Sequence, residues 1–147
     1  MTRSLAVLLA AAAGVFVGLQ APVNSRLGRQ VGSLQAATVS FLIGTLALIL
    51  VTSLSSGGLG AIHDAARAPW WALIGGILGA FYVSVALLTV RTLGLSGLTA
   101  IVVTGQLTIA VVVDRFGLLG LSRQHIGASR IVGVLLLLAG VVLVVRR

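Results

Sequence analysis

The chain has 147 residues, of which 59% are hydrophobic and only 8% are charged. Because soluble domains carry about 25% charged residues, this composition excludes a water-soluble globule and indicates a membrane protein. The net charge is +8, but the arginines stand singly or in small groups between apolar runs, which is not typical of a nucleic-acid-binding surface. The absence of cysteine excludes disulfides and thiolate metal sites.

Long segments without any charged residue predict the membrane-spanning helices. Four of them are long enough to cross a bilayer, which needs about 20 apolar residues. The fifth, between Arg130 and Arg146, gives about 22 Å of helix and spans only if its flanking arginines reach toward the headgroups. Lipid offers no hydrogen-bond partners and no segment alternates like a barrel strand, so an all-α protein is predicted. The predicted helices are 5–23, 34–54, 69–89, 95–113 and 130–145, in a single transmembrane domain.

The first span also resembles a secretory signal peptide, because Arg3 precedes an apolar run. No convincing small-x-small cleavage site follows, and the run continues into polar residues that a disposable leader does not need. We therefore expect a retained helix.

Polar residues surround Pro22 at the expected end of this span. Proline cannot donate the helical hydrogen bond, so it can free a carbonyl upstream. Gln20, Asn24 and Ser25 therefore indicate either a broken helix end on a solute pathway or a polar C-terminal cap before Arg26.

Glycines recur at a spacing of four residues within the spans. Because small residues let helix backbones approach closely in lipid, these motifs predict helix packing, either within one chain or at a dimer or sliding interface. The glycines concerned are Gly14 and Gly18, then Gly75 and Gly79 with Gly76 beside them.

Two large polar side chains lie deep inside the predicted spans. Tyr82, in the third span, either lines a pathway for an organic or cationic solute or simply packs. Gln106 lies near the middle of the fourth span, too deep to be interfacial. It either lines a cavity or forms an ordinary interhelical hydrogen bond.

Asp114 and Arg115 end the fourth span. Asp114 is interpreted as an interfacial ion pair or end anchor, with a proton-carrying carboxylate as the alternative. No acidic residue, Lys or His lies at mid-membrane, so an antiporter built on a buried titrating carboxylate lacks its central group. His63 and His125 have no metal-ligand spacing, so we expect no enzyme, no metal site and no cofactor.

The arginines divide evenly between the two sides of a five-span chain. One side carries Arg3, Arg67, Arg115, Arg123 and Arg130, and the other carries Arg26, Arg29, Arg91, Arg146 and Arg147. The positive-inside rule then gives no preferred orientation. Either copies insert both ways and pair antiparallel, as a homodimer or with a paralogous partner, or the even split is a coincidence.

Several runs, in this order, closely resemble the YdcZ-like branch of the drug/metabolite transporter (DMT, EamA-like) superfamily. They are Gly18–Arg29, Ser40–Thr45, Trp70–Gly76, Gly105–Gln106, Asp114–Gly120 and Gly133–Val141. The resemblance implies a five-helix inner-membrane protein, similar to half of a ten-helix transporter and active as a dimer. The related small multidrug resistance proteins use a buried glutamate in the first helix, which this sequence lacks.

Together these features predict a small secondary transporter for an organic solute, working by alternating access as a dimer in the bilayer. Its predicted substrate contacts are Gln20, Asn24, Tyr82 and Gln106, with Asp114 for coupling or charge balance. The alternatives are a non-transporting scaffold or regulatory subunit, which needs no polar residue deep in the fourth span, and a passive channel.

Overall fold

A computed structural model describes residues 1–55, 58–125 and 127–145. The described residues contain four α-helices and no strand, which confirms the all-α class. The helices are α1 (Arg3–Val31), α2 (Ser33–Ser53), α3 (Gly75–Phe116) and α4 (Ala128–Val145). Short 3-10 helices cover Gly60–Arg67, Trp70–Ile74 and Leu118–Gly120. Arg146 and Arg147, which enter the charge count, lie outside the described residues.

Helix α3 is interrupted at Gly94, whose φ of 71° and ψ of 164° are not helical. Its 42 residues would extend about 63 Å as one straight helix, roughly twice the hydrocarbon thickness of a bilayer. The interruption divides it into halves of 75–93 and 95–116, each long enough for one crossing. With α1, α2 and α4, the lengths fit five membrane crossings.

Helix α1 runs past its expected end at Val23 and continues to Val31, with Pro22 inside it. Neither a broken end nor a C-terminal cap forms at Pro22. The proline leaves the carbonyl of Gly18 without its usual N–H donor. The helix continues because the turns beyond Pro22 are held by packing, where Asn24 and Gly28 are buried.

The third span also begins later than expected. Pro69 precedes the 3-10 helix Trp70–Ile74, and its carbonyl accepts the N–H of Ala72 at 2.9 Å. Regular α-helix begins only at Gly75. The fixed φ of proline thus favours a 3-10 turn at the start of the span, and this turn continues as the wider α-helix.

The chain folds as two compact units, Met1–Leu88 and Thr89–Arg147. The core of the first unit contains Ala36, Ala37, Val83 and Leu87, with Leu27 and Tyr82 packed against it. In the second unit Val90, Leu98 and Thr104 are buried. The organisation of both units as one transmembrane domain remains a prediction.

Candidate functional site

A polar contact joins α1 to α2 near their shared corner. Asn24 Nδ2 donates to Ser40 Oγ at 3.1 Å. The two residues lie at equal distances in sequence on either side of Gly32, so the chain must reverse there for their side chains to meet. Gly32 has a φ of 95° and a ψ of 153°, a combination that is open almost only to glycine.

The corner is closed by the backbone of both helices. The Gly32 N–H donates to the Gly28 carbonyl at 3.1 Å, and the Gly32 carbonyl accepts the Ala36 N–H at 2.9 Å. Gly28 and Ala36 are both buried. Small side chains on either side of the corner thus let α1 and α2 pack closely, as helices do in lipid.

Asn24 is only 6% exposed, so its carboxamide needs partners inside the protein. Ser40 supplies one acceptor. Gln20 lies one turn before Asn24 on the same face of α1. Three predicted contacts, Gln20, Asn24 and Tyr82, line one space together with Ala21, Val83 and Ala86.

The space between these three polar side chains is small in this conformation. Its volume is about 10 Å³, which is close to the minimum for one water molecule. A molecule larger than water does not fit there unless α1 and α3 move apart. The arrangement can offer hydrogen bonds from two carboxamides and one phenol around a single point.

Gln106 belongs to the second unit and is exposed at the surface of the chain. It lies about 15 Å from either end of the 95–116 half of α3, at mid-span. The hydroxyl groups of the two neighbouring threonines are instead hydrogen-bonded within the helix. Thr104 donates to the Ala100 carbonyl at 2.9 Å, and Thr108 donates to the Thr104 carbonyl at 2.8 Å. The Gln106 carboxamide is thus the exposed polar group at mid-span in a single chain.

Asp114 forms an ion pair, but its partner is Arg130 rather than the adjacent Arg115. Asp114 Oδ2 lies 2.9 Å from Arg130 Nη1 across the α3–α4 connection. The Arg115 carbonyl instead accepts the Arg123 Nε–H at 3.0 Å. The pair closes one end of a pocket of about 210 Å³ between the two helices, which Gly133 also lines.

The glycine motifs differ in what surrounds them. A Cβ added at Gly79 would lie 3.5 Å from the Phe41 ring, so this glycine packs against α2. A Cβ added at Gly14, Gly18, Gly75 or Gly76 would meet no described atom within 4 Å. Within one chain these four glycines leave open surface on the spans.

The sequence matches known membrane proteins over almost its whole length. The family described as "Putative inner membrane exporter, YdcZ" matches residues 5–143. The chain is also 28% identical over 150 residues to the inner membrane protein YdcZ of Escherichia coli (strain K12), and the match covers 100% of this chain and 99% of that protein. No solved structure matches. The similarity therefore includes all of the membrane-spanning helices.

Proposed function

Because the chain belongs to the YdcZ inner membrane exporter family, we propose that it is a secondary transporter that moves a small organic solute by alternating access as an antiparallel dimer. It is a multi-pass protein of the inner membrane, and its family is one of transporters rather than enzymes. A partner chain completes the transport cavity in this proposal. That partner is a second copy or a paralogue.

Exposed Gln106 is the observation that carries the proposal. A carboxamide without partners in hydrocarbon costs several kcal/mol, and polar groups inside membrane helices face cavities or other helices. One chain leaves Gln106 exposed at mid-span. A partner that encloses water around this residue removes the cost and creates a central polar cavity.

The even division of arginines supports an antiparallel partner, since neither orientation is favoured by the positive-inside rule. An antiparallel pair supplies the inverted repeat on which alternating access is commonly built. The open glycine surface at Gly14 and Gly18 offers a place for close contact between helices of two copies.

The proposed roles of the polar residues follow from their chemistry. Gln20, Asn24 and Gln106 donate hydrogen bonds to the solute and accept hydrogen bonds from it, and Tyr82 stacks on it. The water-sized space between Gln20, Asn24 and Tyr82 corresponds to a closed state. Asp114, held by Arg130, provides charge balance or coupling at one end.

Thiol labelling of Gln106→Cys in native membranes tests the cavity without a known substrate. The chain has no cysteine, so a single introduced thiol reports alone. We expect a membrane-impermeant maleimide to label Gln106→Cys at least about tenfold faster than Ile101→Cys, which is also exposed but lies about 140° around the same helix. Equal slow labelling of both would refute a watery cavity and favour a scaffold subunit.

A leak measurement separates a transporter from a passive channel. Vesicles containing the purified protein should hold a potassium diffusion potential as long as protein-free vesicles do, because alternating access never opens a continuous pore. Rapid collapse of the potential would favour the channel.

A further inference from the structure

We infer that a second copy of this chain docks on α1 through a hydrogen bond from the Gln106 carboxamide of one copy to the Gly18 carbonyl of the other. In the antiparallel dimer proposed above, on which this inference rests, the two-fold symmetry makes the contact twice, once from each copy. The contact joins α1 of one copy to the 95–116 half of α3 of the other.

Pro22 leaves the Gly18 carbonyl as an acceptor without its helical donor. In an α-helix the carbonyl of residue 18 accepts the N–H of residue 22, and proline has no N–H. Helix α1 continues through Pro22, so this carbonyl stays inside the membrane span. An unpaired backbone carbonyl is costly in hydrocarbon, and a donor from outside α1 removes that cost.

The surface around Gly18 is open to a second helix. A Cβ added at Gly14 or Gly18 would meet no described atom within 4 Å. Gly14, Gly18 and Pro22 are spaced by four residues and therefore lie on one face of α1. Because two of these three residues lack a side chain, a helix from another copy can come close to the Gly18 backbone.

Gln106 supplies a donor that suits this acceptor. It is exposed at mid-span, and its side chain forms no hydrogen bond with the described residues. The hydroxyls of Thr104 and Thr108 are already bonded to backbone carbonyls. A carboxamide has two N–H donors and one oxygen. Gln106 can therefore hold the Gly18 carbonyl and still offer one N–H and its oxygen to water or solute in the cavity.

The depths of the two groups match in an antiparallel pair and not in a parallel one. Gly18 lies about 6 Å from the centre of the predicted span 5–23, and Gln106 lies about 3 Å from the centre of the span 95–113. Each is displaced toward the C-terminal end of its own span, and these two spans run in opposite directions. Inverting one copy brings the groups to within about 3 Å of the same depth, whereas parallel copies leave them about 9 Å apart. The flexible glutamine side chain can bridge only the smaller difference.

A lipid does not satisfy the Gly18 carbonyl. Acyl chains have no hydrogen-bond donor, and Gly18 lies about 9 Å inside the nearer edge of the hydrocarbon core, away from the donors of headgroups. A donor at this depth must come from protein or from water that a protein encloses. The second copy brings such a donor at the matching depth.

Cross-linking between two differently tagged copies tests the contact in native membranes. One copy carries Gly18→Cys and the other carries Gln106→Cys or Thr99→Cys, in a chain that has no other thiol. Thr99 is also exposed and lies two turns from Gln106 on the same face, at the depth that a parallel copy would bring to Gly18. We expect a short bifunctional thiol reagent to join Gly18→Cys to Gln106→Cys at least about fivefold faster than to Thr99→Cys, because about 10 Å of helix separates the two positions.

The other outcomes of this cross-linking are distinct. Faster reaction with Thr99→Cys would mean a parallel pair, which overturns both this contact and the proposed antiparallel dimer. Slow reaction at both positions, with Gln106→Cys still labelled rapidly by the impermeant maleimide, would overturn the contact and leave the proposed cavity standing.

Pro22→Ala tests the acceptor, and Pro69→Ala is its matched control. Alanine at position 22 restores the N–H that pairs with the Gly18 carbonyl, so it strengthens the helix while the dimer loses its acceptor. Pro22→Ala and Gln106→Leu should each weaken dimerisation in detergent about tenfold, as two interchain hydrogen bonds predict, and the double variant should weaken it no further. Pro69→Ala removes the other proline of the chain and should leave dimerisation unchanged. Unchanged dimerisation in Pro22→Ala, or additive losses in the double variant, would overturn the inference.

Discussion

Replacing Gly32 by alanine should destabilise the chain because it forces a side chain onto a backbone conformation reserved for glycine. A non-glycine residue in this region costs about 1–3 kcal/mol. The backbone cannot easily relax, since both the N–H and the carbonyl of Gly32 are hydrogen-bonded into the flanking helices. A Cβ at this position would also meet the end of the Gln35 side chain, which is flexible and can move, so most of the cost comes from the backbone.

Gly44→Ala is the matched control. Gly44 lies inside α2, where a Cβ meets nothing within 4 Å, and alanine in a helix is favoured over glycine by up to about 1 kcal/mol. The two variants should therefore differ in free energy of unfolding by about 2–4 kcal/mol. Gly94→Ala, with a φ of 71°, should behave like Gly32→Ala.

Unfolding by sodium dodecyl sulfate in mixed micelles measures this difference. Tryptophan fluorescence and circular dichroism should both report an earlier transition for Gly32→Ala than for Gly44→Ala. Coincident transitions for the two variants would refute the reasoning about the corner.

Two further predictions concern the polar contacts. In a double-mutant cycle, Asn24→Leu and Ser40→Ala should show a coupling energy of about 1 kcal/mol, because the side chains share one hydrogen bond in a membrane helix pair; strictly additive losses in unfolding free energy would contradict the contact. Asp114→Asn should lower the unfolding free energy by less than about 1 kcal/mol, and less still in high salt, because the Arg130 side chain is 48% exposed and water screens the pair; a loss above about 3 kcal/mol would mean that the pair is buried.

The cost of placing a charge in the hydrocarbon core explains why the spans could be predicted and why the ends of their helices could not. Gaps between charges locate hydrocarbon crossings, because a charge in the core is expensive. They do not locate the ends of helices, since a helix such as α1 can continue past Arg26 into the headgroup region. The α1 ending at Val31 depends on the turn at Gly32.

The site was predictable only where it depends on local geometry. Gln20 and Asn24 lie one turn apart, and helical spacing alone places them on one face. Ser40 as the partner of Asn24 requires knowing that the chain reverses at Gly32. An arginine three residues before a glycine occurs at both interruptions, Gly32 and Gly94, but also at Gly133 inside the unbroken α4, so this spacing does not predict the turn.

The order of the span ends in the sequence predicts the Asp114–Arg130 pair, although Arg115 is the residue adjacent to Asp114. Asp114 ends one span and Arg130 begins the next, so the two residues must emerge on the same side of the membrane. Adjacent side chains on a helix diverge by about 100°, which disfavours Arg115 as the partner. Neighbouring span ends are therefore better guides to interfacial ion pairs than neighbouring residues.

The central claim is that this chain pairs antiparallel; where it is the only chain expressed, its copies must then insert in both orientations. The most direct measurement is labelling of Ser55→Cys, an exposed position after α2, with an impermeant maleimide on intact spheroplasts that express only this chain. The even arginine division predicts that about half of the copies are labelled from outside and the remainder only after lysis. Labelling of all copies, or of none, before lysis would contradict the antiparallel homodimer.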